Sequence, residues 1–406
     1  MSELPEIHGT VSAAFEPVRE AFEANFRDHG EVGAACAVSL DGAMVVDLWA
    51  GNADGHGRPW ERDTLVNVYS TTKGLTALCA HILADRGQID FDAPVSEYWP
   101  EFAHAGKDAL PVRYLLTHQA GLPVIDADLA PGSALDWGRM IEALEQQAPV
   151  WEPGSKQGYH AVTFGWLVGE VVRRVAATAR FGDFLAEAVV GPLGLDMFVG
   201  TPASEHHRVA DLVREQPTAG AAAMEPAPDE TPEAKAMRER VMAMFTPGSL
   251  AFRSLGLASP PFAAGNNSPE WRSAEVPAAN GHTNARSLAR LYGALARGGE
   301  VDGVRLLSAG AVQRAAAEQV CSPDAVLVME TRRSLGFMLP VPGQPDNRGP
   351  NSFGHAGAGG SLGYADPDRG IGFGYTMNKM WNLASFMTPD PRAQSLIASV
   401  HRSLDA

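Results

Sequence analysis

The chain has 406 residues, 45% of them hydrophobic and 20% charged, enough to bury a large core in one domain or two closely joined ones. Its 48 acidic residues outnumber 32 basic ones, giving a formal net charge of -16, which excludes nucleic acid and anionic membrane as expected partners because each needs a basic footprint. Cys36, Cys79 and Cys321 lie far apart with no CxxC, the N-terminus lacks a basic start followed by an apolar run, and no apolar stretch approaches the ~20 residues of a membrane span; a cytoplasmic protein without a disulfide framework is expected.

In chain order, residues 11–29 place Phe15, Val18, Phe22 and Phe26 at helical spacing. "GAACAVSLDGAMVVDLWAG" then reads as two apolar strands joined by Asp41-Gly42, a strong hairpin signal. In "VYSTTKGLTAL", residues 68–78, a serine stands three residues ahead of a lysine. Leu75, Leu78, Cys79, Ile82 and Leu83 follow on one face of an amphipathic helix that ends at Arg86-Gly87 and holds Ser70 and Lys73 in its first turn. From about 90 to 200, helical segments alternate with Pro/Gly turns. One helix follows "EPGSKQG", begins just past Tyr159 and carries Phe164, Leu167, Val168, Val171 and Val172 on one face.

The stretch 216–275 is rich in Ala, Pro and Glu, with loop chemistry and one helix expected around 233–245. It also holds Met224, Met237, Met242, Met244, Phe245, Phe252, Phe262 and Trp271, too many large apolar side chains for a plain linker, so a cap or surface excursion is expected. Helical periodicity returns at 285–297. "SFGHAGAGGSLGYADPDRGIGFGYTMN" reads as two glycine-rich strands around a turn at Asp366–Gly370, and a helix at about 388–404 closes the chain. Strands at both ends predict an antiparallel sheet built from residues 1–75 and 276–406, with a mainly helical domain, 76–275, inserted.

Residues three apart on a helix are neighbours, so Ser70 and Lys73 can face each other. A serine hydroxyl is a poor nucleophile until its proton is taken, and a lysine takes it only when neutral, which requires burial or a nearby cation. A serine at a helix start also has backbone N–H groups aimed at developing negative charge. Chance produces Ser-x-x-Lys often, and an exposed lysine is the competing explanation; Lys73 suits it badly, since cations are disfavoured near a helix N-terminus.

Ser-x-x-Lys is the nucleophile motif of class A β-lactamases and penicillin-binding proteins. The surrounding blocks resemble that superfamily, most closely the family VIII carboxylesterases, its esterase branch akin to class C β-lactamases. "YSTTKGLTALCAHILADRGQIDFDAPVSEYWPEF" resembles the nucleophile helix and the loop after it, and "VRYLLTHQAGLP" a Leu-Leu-Thr-His-x-x-Gly-Leu segment. "EPGSKQGYH" resembles the turn that delivers a catalytic tyrosine, and "GHAGAGGSLGYADP" the strand of the third motif. The blocks keep the family's order and cover most of the chain except roughly 205–275. The resemblance implies a β-lactamase-like α/β (α+β) fold: an antiparallel sheet from both chain ends flanked by helices, plus the helical insertion.

The resemblance makes Ser70 the acylated nucleophile and Lys73 and Tyr159 its proton network; which of the two takes the serine proton stays open, since they form one coupled site. The second motif departs from Tyr-x-Asn, reading Tyr159-His160-Ala161, and the third from Lys-Thr-Gly, reading His355-Ala356-Gly357. Both departures favour uncharged esters over β-lactams or peptides. The N–H of Ala358 is expected to join that of Ser70 as an oxyanion hole, with His355, Gly357 and His160 in the substrate-binding set and the glycines letting substrate lie against the backbone.

Gly359-Gly360-Ser361-Leu362-Gly363 also fits G-x-S-x-G, but that elbow needs a helix after the serine, and here a strand and hairpin turn follow; His401 would have to complete a triad. Glu205-His206-His207 lacks the i, i+4 spacing of a helical zinc site, the Gly-x-Gly near 357 lacks the context of a dinucleotide site, and His118 suits a turn hydrogen bond better than catalysis. The sequence therefore predicts a serine carboxylesterase with no metal or cofactor, acting on a small-molecule ester. A peptidase, amidase or weak β-lactamase is the alternative within enzymes, and a catalytically silent binding protein the alternative outside them. Whether the chain forms a homo-oligomer is open.

Overall fold

The computed structural model describes residues 4–213, 231, 235, 238, 239, 242, 246–255, 265–344, 346–381 and 389–405. Nine strands form one antiparallel sheet. Three come from the N-terminal end: β1 (His8–Val11), β2 (Gly33–Leu40) and β3 (Ala43–Gly51). Six come from the C-terminal end: β4 (Val320–Pro323), β5 (Glu330–Arg333), β6 (Met338–Leu339), β7 (Phe353–Ala356), β8 (Leu362–Asp366) and β9 (Ile371–Met377). Their order is β1-β3-β2-β9-β8-β7-β6-β5-β4, so the two ends of the chain meet mid-sheet, where β2 pairs with β9 from Leu40↔Ile371 to Ala34↔Met377. Asp41 and Gly42, both at positive φ (49° and 88°), make the β2–β3 turn that their sequence predicts.

One face of the sheet is covered by α1 (Glu16–Asp28) and the C-terminal helix α5 (Pro391–Asp405). Phe15, Val18, Phe22, Phe26, Leu396, Ile397 and Val400 pack there against Val38, Leu48, Phe373 and Tyr375. The other face carries α4 (Ala285–Ala296), which lies against the backbone of β9: a Cβ on Gly372 would sit 2.1 Å from the Gly293 nitrogen. Helix α2 (Thr72–Asp85) runs between this layer and α3 (Thr163–Ala176), which lies in the helical region.

Two sequence expectations change here. The amphipathic face read for α2 does not exist as such, because every residue from Thr72 to Leu83 is buried; the small residues between the leucines pack against neighbours as tightly as the leucines do. The glycine-rich stretch holds three strands rather than two. A turn at Gly357–Gly360, with Gly359 and Gly360 at positive φ, separates β7 from β8, and glycines give no side-chain alternation by which a sequence reader could see the break.

The helix expected at 233–245 lies largely outside the described residues, as do Met224, Met237, Met244, Phe245 and Phe262. Met242 is exposed, Phe252 lies half-buried in a short helix at Leu250–Ser254, and Trp271 is buried in another at Pro269–Ser273. Among the described residues no helix is long and apolar enough to cross a membrane.

Candidate active site

Ser70 stands one residue ahead of Thr71, the N-cap of α2, and Lys73 lies in the first turn, its N–H donating to the Ser70 carbonyl (2.9 Å). Lys73 is wholly buried although it carries an amine. Its Nζ has three polar neighbours: Ser70 Oγ at 3.1 Å, the Ala161 carbonyl at 2.7 Å and the Ala278 carbonyl at 2.9 Å. A neutral amine has two hydrogens and one lone pair. With the hydrogens on the two carbonyls, the lone pair is left for the Ser70 hydroxyl, which is the arrangement a base needs. Burial holds the Lys73 pKa well below its ordinary value, and the positive charge of Arg333 pushes it further down. The Ala278 carbonyl is fixed by Asn280, whose side chain accepts from the Val276 N–H and donates to the Trp271 and Ala274 carbonyls.

Tyr159 is buried beside this pair, its ring centroid 4.8 Å from Lys73 Nζ. Burial pushes its phenol up to about 12, against a hydrogen bond with Ser70 and the charge of Arg333, which pull it down. The turn that carries Tyr159 is pinned on both sides: Gly158 N–H donates to the His118 carbonyl, His160 N–H to His118 Nδ1, and Tyr159 N–H to Asp324 Oδ1 (2.9 Å). His118 therefore takes the turn hydrogen bonds that the sequence suggests for it. His160 is buried with Nε2 accepting from the Leu122 N–H and Nδ1 against the Gly158 carbonyl, so both ring nitrogens are spent on the loop; burial brings its pKa down to about 4. Ser254 donates to the Tyr159 carbonyl, and Ala251 packs with Tyr159, Ala161, Val326 and Leu327, which brings the end of the 216–275 stretch onto this side of the site.

On the other flank of Ser70 lies the β7–β8 turn. His355 on β7 is buried with its ring stacked 6.3 Å from that of Tyr159, and its Nε2 has no hydrogen-bond partner among the described residues. Burial above all holds its pKa well below the ordinary value, so it is neutral. Gly357 and Ala358 are half-buried in the turn. The space that a Cβ would take at Gly357 is filled by the Val68 carbonyl and Ser361 Oγ, so this glycine serves close approach of the turn to the nucleophile segment, and no substrate fits there. Ser361 is buried and donates to the Val68 carbonyl (2.8 Å), with Thr71 Oγ1 at 3.2 Å; it ties the turn to the start of α2. The strand after it, β8, is not the helix that a nucleophile elbow requires. Arg392 donates to the Gly359 carbonyl (2.7 Å) and is held by Glu31 and Asp390, all three buried.

Three parts of the site escape a sequence reader. Tyr69 has a positive φ (43°), which for a bulky residue beside the candidate nucleophile is stored strain. Arg333 and Asp324 form a buried ion pair (2.9 Å) behind Tyr159. The carbonyls around Lys73 come from Ala161 and Ala278, residues whose side chains announce nothing.

The Beta-lactamase family profile matches residues 18–396. The esterase/beta-lactamase LipL of Mycobacterium tuberculosis is 39% identical over 381 residues, which is 92% of this chain and 83% of that protein. A solved family VIII carboxylesterase superposes with a TM-score of 0.85 at 39% identity, covering 98% of this chain and 100% of its own. A penicillin-binding protein homolog from Caulobacter crescentus does so with a TM-score of 0.82 at 40% identity and the same coverage.

Proposed function

The chain belongs to the Beta-lactamase family of serine hydrolases, and on that premise we propose that it cleaves small, short-chain carboxylic esters through an acyl-enzyme on Ser70. The observation that carries this is the buried Lys73, with two carbonyls on its hydrogens and Ser70 Oγ as its third neighbour. Ser70 Oγ attacks the ester carbonyl as its proton passes into the Lys73–Tyr159 pair, and the carbonyl oxygen, now negative, takes hydrogen bonds from Ser70 N–H and Ala358 N–H. The pair then returns the proton to the departing alcohol. Water enters by the same route in reverse, releasing acid and restoring the serine.

Uncharged esters suit the site because His355 is neutral and Ala161 supplies no side-chain amide. The end of the 216–275 stretch packs on the Tyr159 turn, which supports its role as a cap bearing on acyl-chain length. A second activity, slow β-lactam hydrolysis, draws support from the two-part name of the Mycobacterium tuberculosis relative.

The test is turnover of a p-nitrophenyl ester series by wild type and Ser70→Ala, with a chromogenic cephalosporin alongside. Short esters should be turned over with a kcat/KM at least about 100-fold above that for the cephalosporin, a discrimination of the size expected when a site lacks a substrate's polar partners. A preference for the cephalosporin would show that His355 and Ala161 have been given the wrong meaning. Failure of a fluorophosphonate to label Ser70 would favour a silent binding protein instead.

A further inference from the structure

An amine and a guanidinium face one tyrosine ring. Lys73 Nζ lies 4.8 Å from the Tyr159 centroid and Arg333 Cζ 5.1 Å from it. Arg333 closes β5, and only 2% of its side chain is exposed. Its Nη2 donates to Asp324 Oδ2 (2.9 Å) and its Nε to Gln157 Oε1 (3.1 Å). Gln157 in turn donates to the Ser322 and Thr331 carbonyls, on β4 and β5. Asp324 is oriented with equal care: Oδ1 accepts from the N–H groups of Tyr159, Val326 and Leu327. The ion pair is therefore a fixed dipole, its carboxylate on the backbone of Tyr159 and its guanidinium near the ring.

Burying an arginine is costly, and packing alone would be served as well by apolar residues of similar volume. What the charge can do depends on what it faces. The titratable and charged groups packed around Lys73 and Tyr159 are His118 from the loop after the Val112–Leu116 helix, His160 from the tyrosine turn, His355 from β7, and the Arg333–Asp324 pair from the sheet end. The three histidines are held neutral by burial. That leaves Arg333 and Asp324 as the permanent charges of this group.

We propose that Arg333 is a positioning residue for the hydrolysis, an electrostatic one, whose fixed charge behind Tyr159 keeps Lys73 unprotonated and favours the phenolate form of Tyr159. The cation disfavours a second cation at Lys73 and favours an anion at Tyr159, so a single charge moves both groups towards taking the Ser70 proton. The Arg333 charge lowers the pKa of both groups, on Tyr159 against the opposite pull of Asp324. The inference rests on the proposed acyl-enzyme chemistry and adds to it a second source, beside burial, of the lysine's neutrality.

The test is the pH dependence of kcat/KM on a p-nitrophenyl ester. Removing both charges with Arg333→Met/Asp324→Asn keeps an oxygen for the three N–H groups. The midpoint of the acid limb should rise by about one pH unit, so that activity well below it falls about tenfold, while the alkaline plateau stays within a few-fold. Arg333→Lys, which retains charge, should hold the midpoint near that of wild type. Asp324→Asn alone leaves Arg333 uncompensated and should lower the midpoint, so it decides the matter with the opposite sign if the double variant does not fold. A lowered plateau with an unmoved midpoint in these variants would reduce Arg333 to a structural residue and overturn the proposal. If wild type turns over no ester, the functional proposal fails. In that event the Lys73 titration, followed by NMR of 13C-lysine-labelled protein with and without Arg333→Met/Asp324→Asn, decides this one: no upward shift of the Lys73 pKa would overturn it.

Discussion

The two flanks of Ser70 are each backed by a buried arginine, and the two arginines do different work. Arg333 has one carboxylate partner and faces titratable groups across the Tyr159 ring. Arg392 is wedged between two carboxylates, Glu31 and Asp390, and spends its remaining reach on backbone carbonyls of Gly359 and Lys379. An arginine so compensated exerts little field at a distance but holds a turn in place. The lesson is that burial of a charge does not fix its purpose; the partners around it do.

The largest effects should separate nucleophile from decoy on the first flank. Ser70→Ala should abolish turnover and Lys73→Met should lower kcat by about 10²–10⁴, the usual worth of a positioned base. Ser361→Ala should still form the acyl-enzyme, and peptide mass mapping that finds the acyl group on Ser361 would remove the first flank from the chemistry altogether.

Next comes Arg392→Met on the second flank. It strands two buried carboxylates, so urea unfolding should report a loss of about 3–5 kcal/mol. By loosening the Gly357–Gly360 turn it should lower kcat as damage to an oxyanion hole does, by up to about 10²-fold. Its acid-limb midpoint should not move; a shift like that expected for Arg333→Met/Asp324→Asn would erase the distinction between the flanks.

Two buried groups, His160 behind the first flank and Glu31 behind the second, should respond oppositely to pH in their contribution to stability. His160 is held down to about 4 by burial, so between that value and 6.5 the unfolded chain binds more protons and stability is lost as pH falls. His81, also held to about 4, and His282, held to about 3, act with it. Glu31 is pushed up to about 7 by burial, partly offset by Arg392, so between 4.5 and 7 the folded chain binds more protons and stability is lost as pH rises. Each side is worth on the order of 3 kcal/mol per group. Melting temperatures of wild type from pH 7 down to 5 should fall, and Glu31→Gln should steepen that fall; a shallower fall in Glu31→Gln would mean its carboxyl is already ionised.

The smallest effect is expected at the cap. Leu250→Ala, beside Ala251 on the Tyr159 turn, should shift the preferred acyl chain towards longer esters by a few-fold in kcat/KM with little change in melting temperature. An unchanged chain-length profile would detach this segment from substrate choice.

What was legible in the sequence follows from how locally each feature is encoded. The Asp41-Gly42 hairpin, the helix face of α1, and the spacing of Ser70 and Lys73 are written within a few residues of one another. Tyr159 was found through a short block of neighbours, and the fold brings it beside the other two. Arg333 was not found, because nothing in "METRRSLG" sets it apart from its charged neighbours; its burial depends on Gln157 and Tyr159, more than 170 positions earlier. The strain at Tyr69 is invisible for the same reason, since the residue type gives no hint of its φ. The buried α2 misled because its helical period is real while its polar face is covered by parts of the chain far away.

Placing β2 and β9, from opposite ends of the chain, side by side in the sheet has a consequence for how the protein is made. Gly33, at the head of β2, is hydrogen-bonded by Asn378, 345 positions later. At ~5–20 residues per second, a ribosome needs roughly 17 to 70 s to travel between them. Throughout that interval β2 has an open edge of unpaired backbone, and for most of it Ser70 and Lys73 stand without the β7–β8 turn or Arg333. A nascent chain of this enzyme is therefore inert towards esters but exposed to aggregation, and its dependence on chaperones should end with the synthesis of β9.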